Sequence, residues 1–137
     1  MEELLKAIKT QWDAAAGASI RAKATGGLWP VEAKQEVTTQ ATVKPYVVYH
    51  PLPGTVFNTN TGTIEEAFVQ FSIFCTSESA ASTCVQIRDL LVALYDDVQL
   101  SMTGFNMVRA IRQSSGHLVK DPDEGYALHV DYMFMYG

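Results

Sequence analysis

EEAFVQFSIFC, residues Glu65–Cys75, runs into TSESAASTCVQIRDLLVALYD, residues Thr76–Asp96, and the reading of this stretch decides the fold. In its first half Ala67, Val69, Phe71, Ile73 and Cys75 recur at period two. Gln70 and Ser72 take the other face, flanked there by Phe68 and Phe74. That pattern predicts a strand with one thoroughly apolar side. The TSES cluster suits a helix start, with Glu78 where the helix dipole favours negative charge. A helix is expected over Ser79–Asp96, because Ala80, Cys84, Ile87, Leu91, Leu94 and Tyr95 recur at helical spacing. Val85 and Val92 widen that stripe. Each large apolar side chain buried here contributes about 1.5–3 kcal/mol, so this strand–helix pair should supply most of the core.

Upstream, Glu3–Ala16 predicts a first helix with Leu4, Leu5, Ile8, Trp12 and Ala15 facing inward and Gly17 ending it. Ser19–Gly27 is small and weakly patterned. Leu28-Trp29-Pro30-Val31 reads as a short edge segment, since Pro30 cannot donate to a ladder. Glu32–Lys44 reads as a loop, with a helical fragment near Val31–Gln35. Pro45–His50 is rich in strand-forming residues and predicts a strand. The connection PLPGTVFNTNTGT, Pro51–Thr63, carries no charge, and Val56 and Phe57 are apolar inside it. It reads either as an extended hairpin with a functional tip or as a variable surface loop.

Downstream, Phe105–Gln113 has strand composition with a blurred alternation. SSG and DPDEG within Ser114–Gly125 are turn signals. Tyr126–Tyr136 alternates cleanly and should pair with Phe105–Gln113 as an antiparallel hairpin. These elements predict an α+β domain spanning residues 1–137, with one mainly antiparallel sheet and two helices on one face. The other face would then carry Phe68, Phe74, Met133 and Met135, an apolar patch of the kind that marks association.

Chemistry is harder to find. The chain has 137 residues, and its net charge of −5 with scattered Lys and Arg argues against a dedicated nucleic-acid binder. No apolar run is long enough to span a bilayer, and the acidic start is unlike a secretory signal. A cytosolic site of synthesis is expected. Cys75 and Cys84 both fall on core faces; buried reduced thiols are expected there, with a strand-to-helix disulfide the alternative. His50, His117 and His129 lack metal-type spacing. His129 and Asp131 share a strand face, where an imidazole–carboxylate pair competes with a plain solvated surface. A thiol–imidazole nucleophile pair has nothing in the sequence to orient it. KDPDEG reads as an acidic turn, without the spaced ligands of a calcium loop. No phosphate-binding glycine motif occurs. Arg88 falls inside the apolar arc of the long helix; its stem should lie along the core edge, or its head should pair across a subunit boundary. No catalytic residue, cofactor or metal is expected.

PYVVYHPLPG (Pro45–Gly54), the Gly/Thr/Asn loop after it, Gly62–Leu94 and the closing YALHVDYMFMY (Tyr126–Tyr136) resemble the tail-completion proteins of tailed phages. This is the tail-terminator-like family of phages, prophages and gene-transfer particles. With the N-terminal LLKAI helix the resemblance covers nearly the whole chain; Ala24–Val43 is the part least like the family. It implies a structural virion protein of the neck, built in the host cytoplasm, that assembles as a ring, commonly of six copies. Such a ring caps the tail tube, ends polymerisation of the major tail tube protein and docks the head connector. DNA passes through its lumen, and an acidic balance suits sliding without sticking. Val56, Phe57, Phe68, Phe74, Arg88, Met133 and Met135 are the expected interface residues. A head-side neck adaptor or stopper is the alternative within the virion. A small ligand-binding or catalytic domain, with a pocket around His129 and Asp131, is the alternative outside it.

Overall fold

A computed structural model describes residues 2–30, 45–52, 56–59, 62–75, 80–114, 116–121 and 125–137. The expected loop at Glu32–Lys44, its helical fragment, the TSES cap, and Asp123 and Glu124 of the DPDEG turn lie outside the described residues.

Strand β4, Gly62–Cys75, is the spine of the sheet. It pairs antiparallel along its length with β7, Gly125–Tyr136, in a register that places Phe71 opposite Val130. On its other edge it carries two strands in one row. These are β2, Tyr46–Leu52, opposite Phe74 to Phe68, and β3, Val56–Thr59, opposite Glu65 to Gly62. The uncharged connection is therefore the extended hairpin. On the outer edge of β7 lie β5, Met107–Arg112, and β6, His117–Asp121, again in one row. The short β1, Leu28–Pro30, runs parallel to β2 at the opposite edge, where a proline costs no ladder bond.

The period-two pattern places Ala67, Val69, Phe71, Ile73 and Cys75 on one face, and all five are buried. Leu128, Val130, Tyr132, Phe134 and Tyr136 continue that face across β7. The helices cover it. Helix α3, Ala80–Tyr95, buries Cys84, Ile87, Leu91, Leu94 and Tyr95, and the Tyr95 ring stacks on Phe71 at 4.9 Å between centroids. Helix α1, Glu2–Asp13, buries Leu4, Ala7, Ile8 and Trp12 and joins α3 where the Tyr95 hydroxyl donates to the Ile8 carbonyl at 2.7 Å. The fold is α+β, as the pattern predicts.

Three expectations need correction. The first helix stops at Asp13, and Ala15 is exposed. The chain is extended at Ala14, turns through one 3₁₀ turn at Ala15–Gly17, and enters α2, Ala18–Lys23. The helix layer thus has a third, short member that buries Ile20. Lastly, the segment expected as turns between the final strands contains β6, so the tight hairpin is β6–β7. Gly116, at φ +92°, lets the chain change direction between β5 and β6. A Cβ there would stand 2.7 Å from Leu128 Cδ2, so both its backbone and its space call for glycine.

Asp96 and Asp97 form the turn after α3. Acids there oppose the helix dipole. β5 offsets them: Arg109 Nε lies 3.3 Å from Asp97 and Arg112 Nε 3.6 Å from Asp96. The Tyr132 hydroxyl also donates to Asp96 at 2.8 Å.

Candidate assembly surface

The face of the sheet away from the helices takes the even-numbered residues of β4 and the odd-numbered residues of β7. Phe68 stands opposite Met133, Glu66 opposite Met135, Gln70 opposite Asp131, and Ser72 opposite His129. Side chains alternate by the pleat, so these residues share one surface with Tyr46, Val48, His50 and Ile111 of the flanking strands. Among the described residues no helix lies on it. Phe68, Phe74, Met133 and Met135 are half-buried. Phe74 meets the Tyr46 ring at 5.2 Å and the edge of the His129 ring at 6.5 Å.

Between these apolar groups lies a small polar centre. Ser72 is buried, and its Oγ is 2.8 Å from His129 Nδ1. The imidazole is thus held by serine across the strands and not by Asp131. The Asp131 Oδ1 atom is sealed from water and, among the described residues, has no hydrogen-bond partner.

Four of the seven expected interface residues, Phe68, Phe74, Met133 and Met135, therefore share one face of the sheet. Arg88 does not join them. It sits on α3, across the sheet, with its side chain 26% exposed and its guanidinium 2.9 Å from Asp89. Val56 and Phe57 lie in β3, whose backbone extends the row beside β4; their side chains are outside the described residues. Sequence reading did not place Tyr46 and Val48 on this face; Tyr46–Tyr49 is an unbroken apolar run, buried on both faces, so it carries no alternation to assign them by.

Among the described residues, no cysteine lies beside His129. Cys75 and Cys84 are buried on the helix side, while His129 lies on the opposite face, so the sheet separates thiol from imidazole. Among the described residues no group of three or more His, Cys, Asp or Glu side chains is placed to hold a metal ion. A cleft of about 270 Å³ lies beside α1, lined by Lys9, Gly27, Leu28, Trp29, Pro30 and Tyr49. It is small for a ligand site and is not formed by His129 or Asp131. No described helix is long and apolar enough to cross a membrane.

No family model matches the sequence, and no curated protein matches it. A search of solved structures does find the architecture. A chain in the virion of a native gene transfer agent particle superposes with a TM-score of 0.71, over 93% of this chain and 90% of that one. This chain shares its fold with a virion component. Identity is 13%, so the likeness is one of backbone and layer order.

Proposed function

We propose that this chain is a structural protein of the phage-like virion neck, which closes the tail tube as a ring of six copies. The ring stops addition of tail tube protein and offers its far side to the head connector. The observation that carries this reading is the fold likeness to a gene transfer agent virion chain across 93% of the sequence. The apolar sheet face supports it, because a subunit that works in an assembly needs surface to bury against neighbours. A ring contact is heterologous, so this face would meet a different patch on the next copy. On this reading the chain makes and breaks no bonds, takes no cofactor, and lets DNA pass without specific contact.

Electron microscopy of tails tests it. With the protein present, tails should carry one added ring at the head-proximal end; without it they should grow to uncontrolled length. Purified protein should cap tail tubes and ignore isolated head connectors. Normal tail lengths in its absence, with the defect confined to heads, would assign the chain to the head side of the joint.

A further inference from the structure

Cys75 closes β4 on the helix side of the sheet, and Cys84 lies early in α3, which packs over that end. Neither is in a disulfide, both are fully buried, and their sulfurs are 2.7 Å apart. Unbonded heavy atoms usually settle at roughly 3.5–4.0 Å, whereas a disulfide bond is about 2.05 Å. The pair is thus held closer than ordinary packing holds neighbours, and bond formation needs only a small further approach. The sequence separation is nine residues, so a bond would close a short loop across the strand-to-helix connection.

We propose that Cys75 and Cys84 form a dithiol–disulfide pair, which hydrogen peroxide converts to an intrachain bond stapling the end of β4 to the start of α3. One sulfur, as thiolate, attacks a peroxide oxygen; the O–O bond breaks, leaving a sulfenic acid and one water. The second sulfur then attacks the sulfenic sulfur, the S–O bond breaks, and a second water leaves. Two thiols lose two electrons together, and one peroxide is reduced to two waters that keep the protons. The contact with Cys75, and then burial, push the Cys84 thiol well above its usual range. Thiolate is scarce, and the conversion is slow. A reducing interior keeps the dithiol, and an oxidising surrounding selects the bond. This inference stands apart from the neck assignment.

Peroxide treatment of the reduced full-length protein, followed by mass analysis, tests it. The intact chain should lose about 2 Da, and both thiols should vanish together when counted after unfolding. Glu78 lies between the cysteines, so cleavage after glutamate separates them; in the oxidised chain the two fragments should stay joined until reduced. The oxidised form should melt about 5–10 °C higher, and reduction should reverse the gain. Cys84→Ser should keep one titratable thiol and show no such gain. Peptide mapping of the native sequence decides the matter even if that variant folds poorly. Two titratable thiols after treatment, oxygen added to either sulfur, or disulfide-linked dimers in place of the internal bond would each overturn the proposal.

Discussion

Arg21 shows how a single residue settles a local path that propensity leaves open. Its guanidinium reaches back to the carbonyls of Trp12 and Ala14, the latter at 2.7 Å, just where α1 ends and leaves acceptors without helical partners. Gly17 completes the corner: a Cβ there would collide with the Trp12 carbonyl. A charged hydrogen bond of this kind is worth about 1.5–3 kcal/mol, so Arg21→Ala should destabilise by roughly that amount. Gly17→Ala should cost about as much or more, since main chain must shift. Urea unfolding checks both, and the midpoint should fall with an unchanged slope. A midpoint at the wild-type value for Arg21→Ala would show that water replaces the guanidinium at no cost.

Among the elements, β4 meets β7 most extensively while α3 covers one of its faces, and the two faces of β4 differ sharply in what they bury. Phe71 is fully buried, stacked on Tyr95 at 4.9 Å and edge-on to Tyr132 at 5.8 Å. Phe71→Ala should cost about 3–5 kcal/mol. Phe68→Ala, on the half-buried face of the same strand, should cost under about half of that. Thermal unfolding of the two variants makes the comparison, and equal losses would mean that both faces are core. Three tyrosines of this layer also tie stability to pH. Burial and then the Glu65 carboxylate push the Tyr136 phenol up to about 12, and burial raises Tyr95 and Tyr132 further. The folded state holds these protons more tightly than the unfolded chain does. Stability is therefore fully present below about pH 10 and should fall as pH rises through about 12. Alkaline denaturation followed by circular dichroism should show that onset; a flat profile through pH 12 would contradict it.

The same elements show what a sequence makes legible. β4, α3 and β7 were readable because each has one face in the core, and burial imposes a period on the residue types. β6 was not: Leu118 and Val119 point to opposite faces and are 41% and 43% exposed, so nothing imposes alternation. The six-residue α2 buries Ile20 and too little else to show a period. The blurred pattern of β5 has its cause in a register shift between Met107 and Arg109, which breaks the alternation at its start. At the candidate surface, Phe68, Phe74, Met133 and Met135 were legible from strand parity alone. Arg88 was grouped with them by its place in the apolar arc, but parity within a helix says nothing of which side of a sheet that helix covers.

For the whole molecule, the distribution of apolar groups over the two faces argues for assembly. The helix side is closed and its large side chains are fully buried, so it has little left to offer a partner. The other side keeps a cross-strand pair, Phe68 opposite Met133, with Met135 next on that face of β7 and Phe74 farther along β4, beyond a polar centre at Ser72 and His129. Removing the apolar character of that pair should affect the monomer and the assembly very differently. Phe68→Ser with Met133→Ser removes two half-buried side chains, which should cost about 1–3 kcal/mol in total and leave the fold cooperative. If this face buries against a neighbouring copy or the tail tube, the same change strikes the centre of an interface, where a few residues carry most of the affinity. Capping of tail tubes by the double variant should then drop at least about tenfold, since 1.4 kcal/mol already gives that factor. Arg88→Ala, on the opposite side of the sheet, separates a specific surface from a general loss of stability. If the double variant caps tails as well as the native chain while Arg88→Ala does not, the assembly surface lies on the helix side and the sheet face is merely exposed.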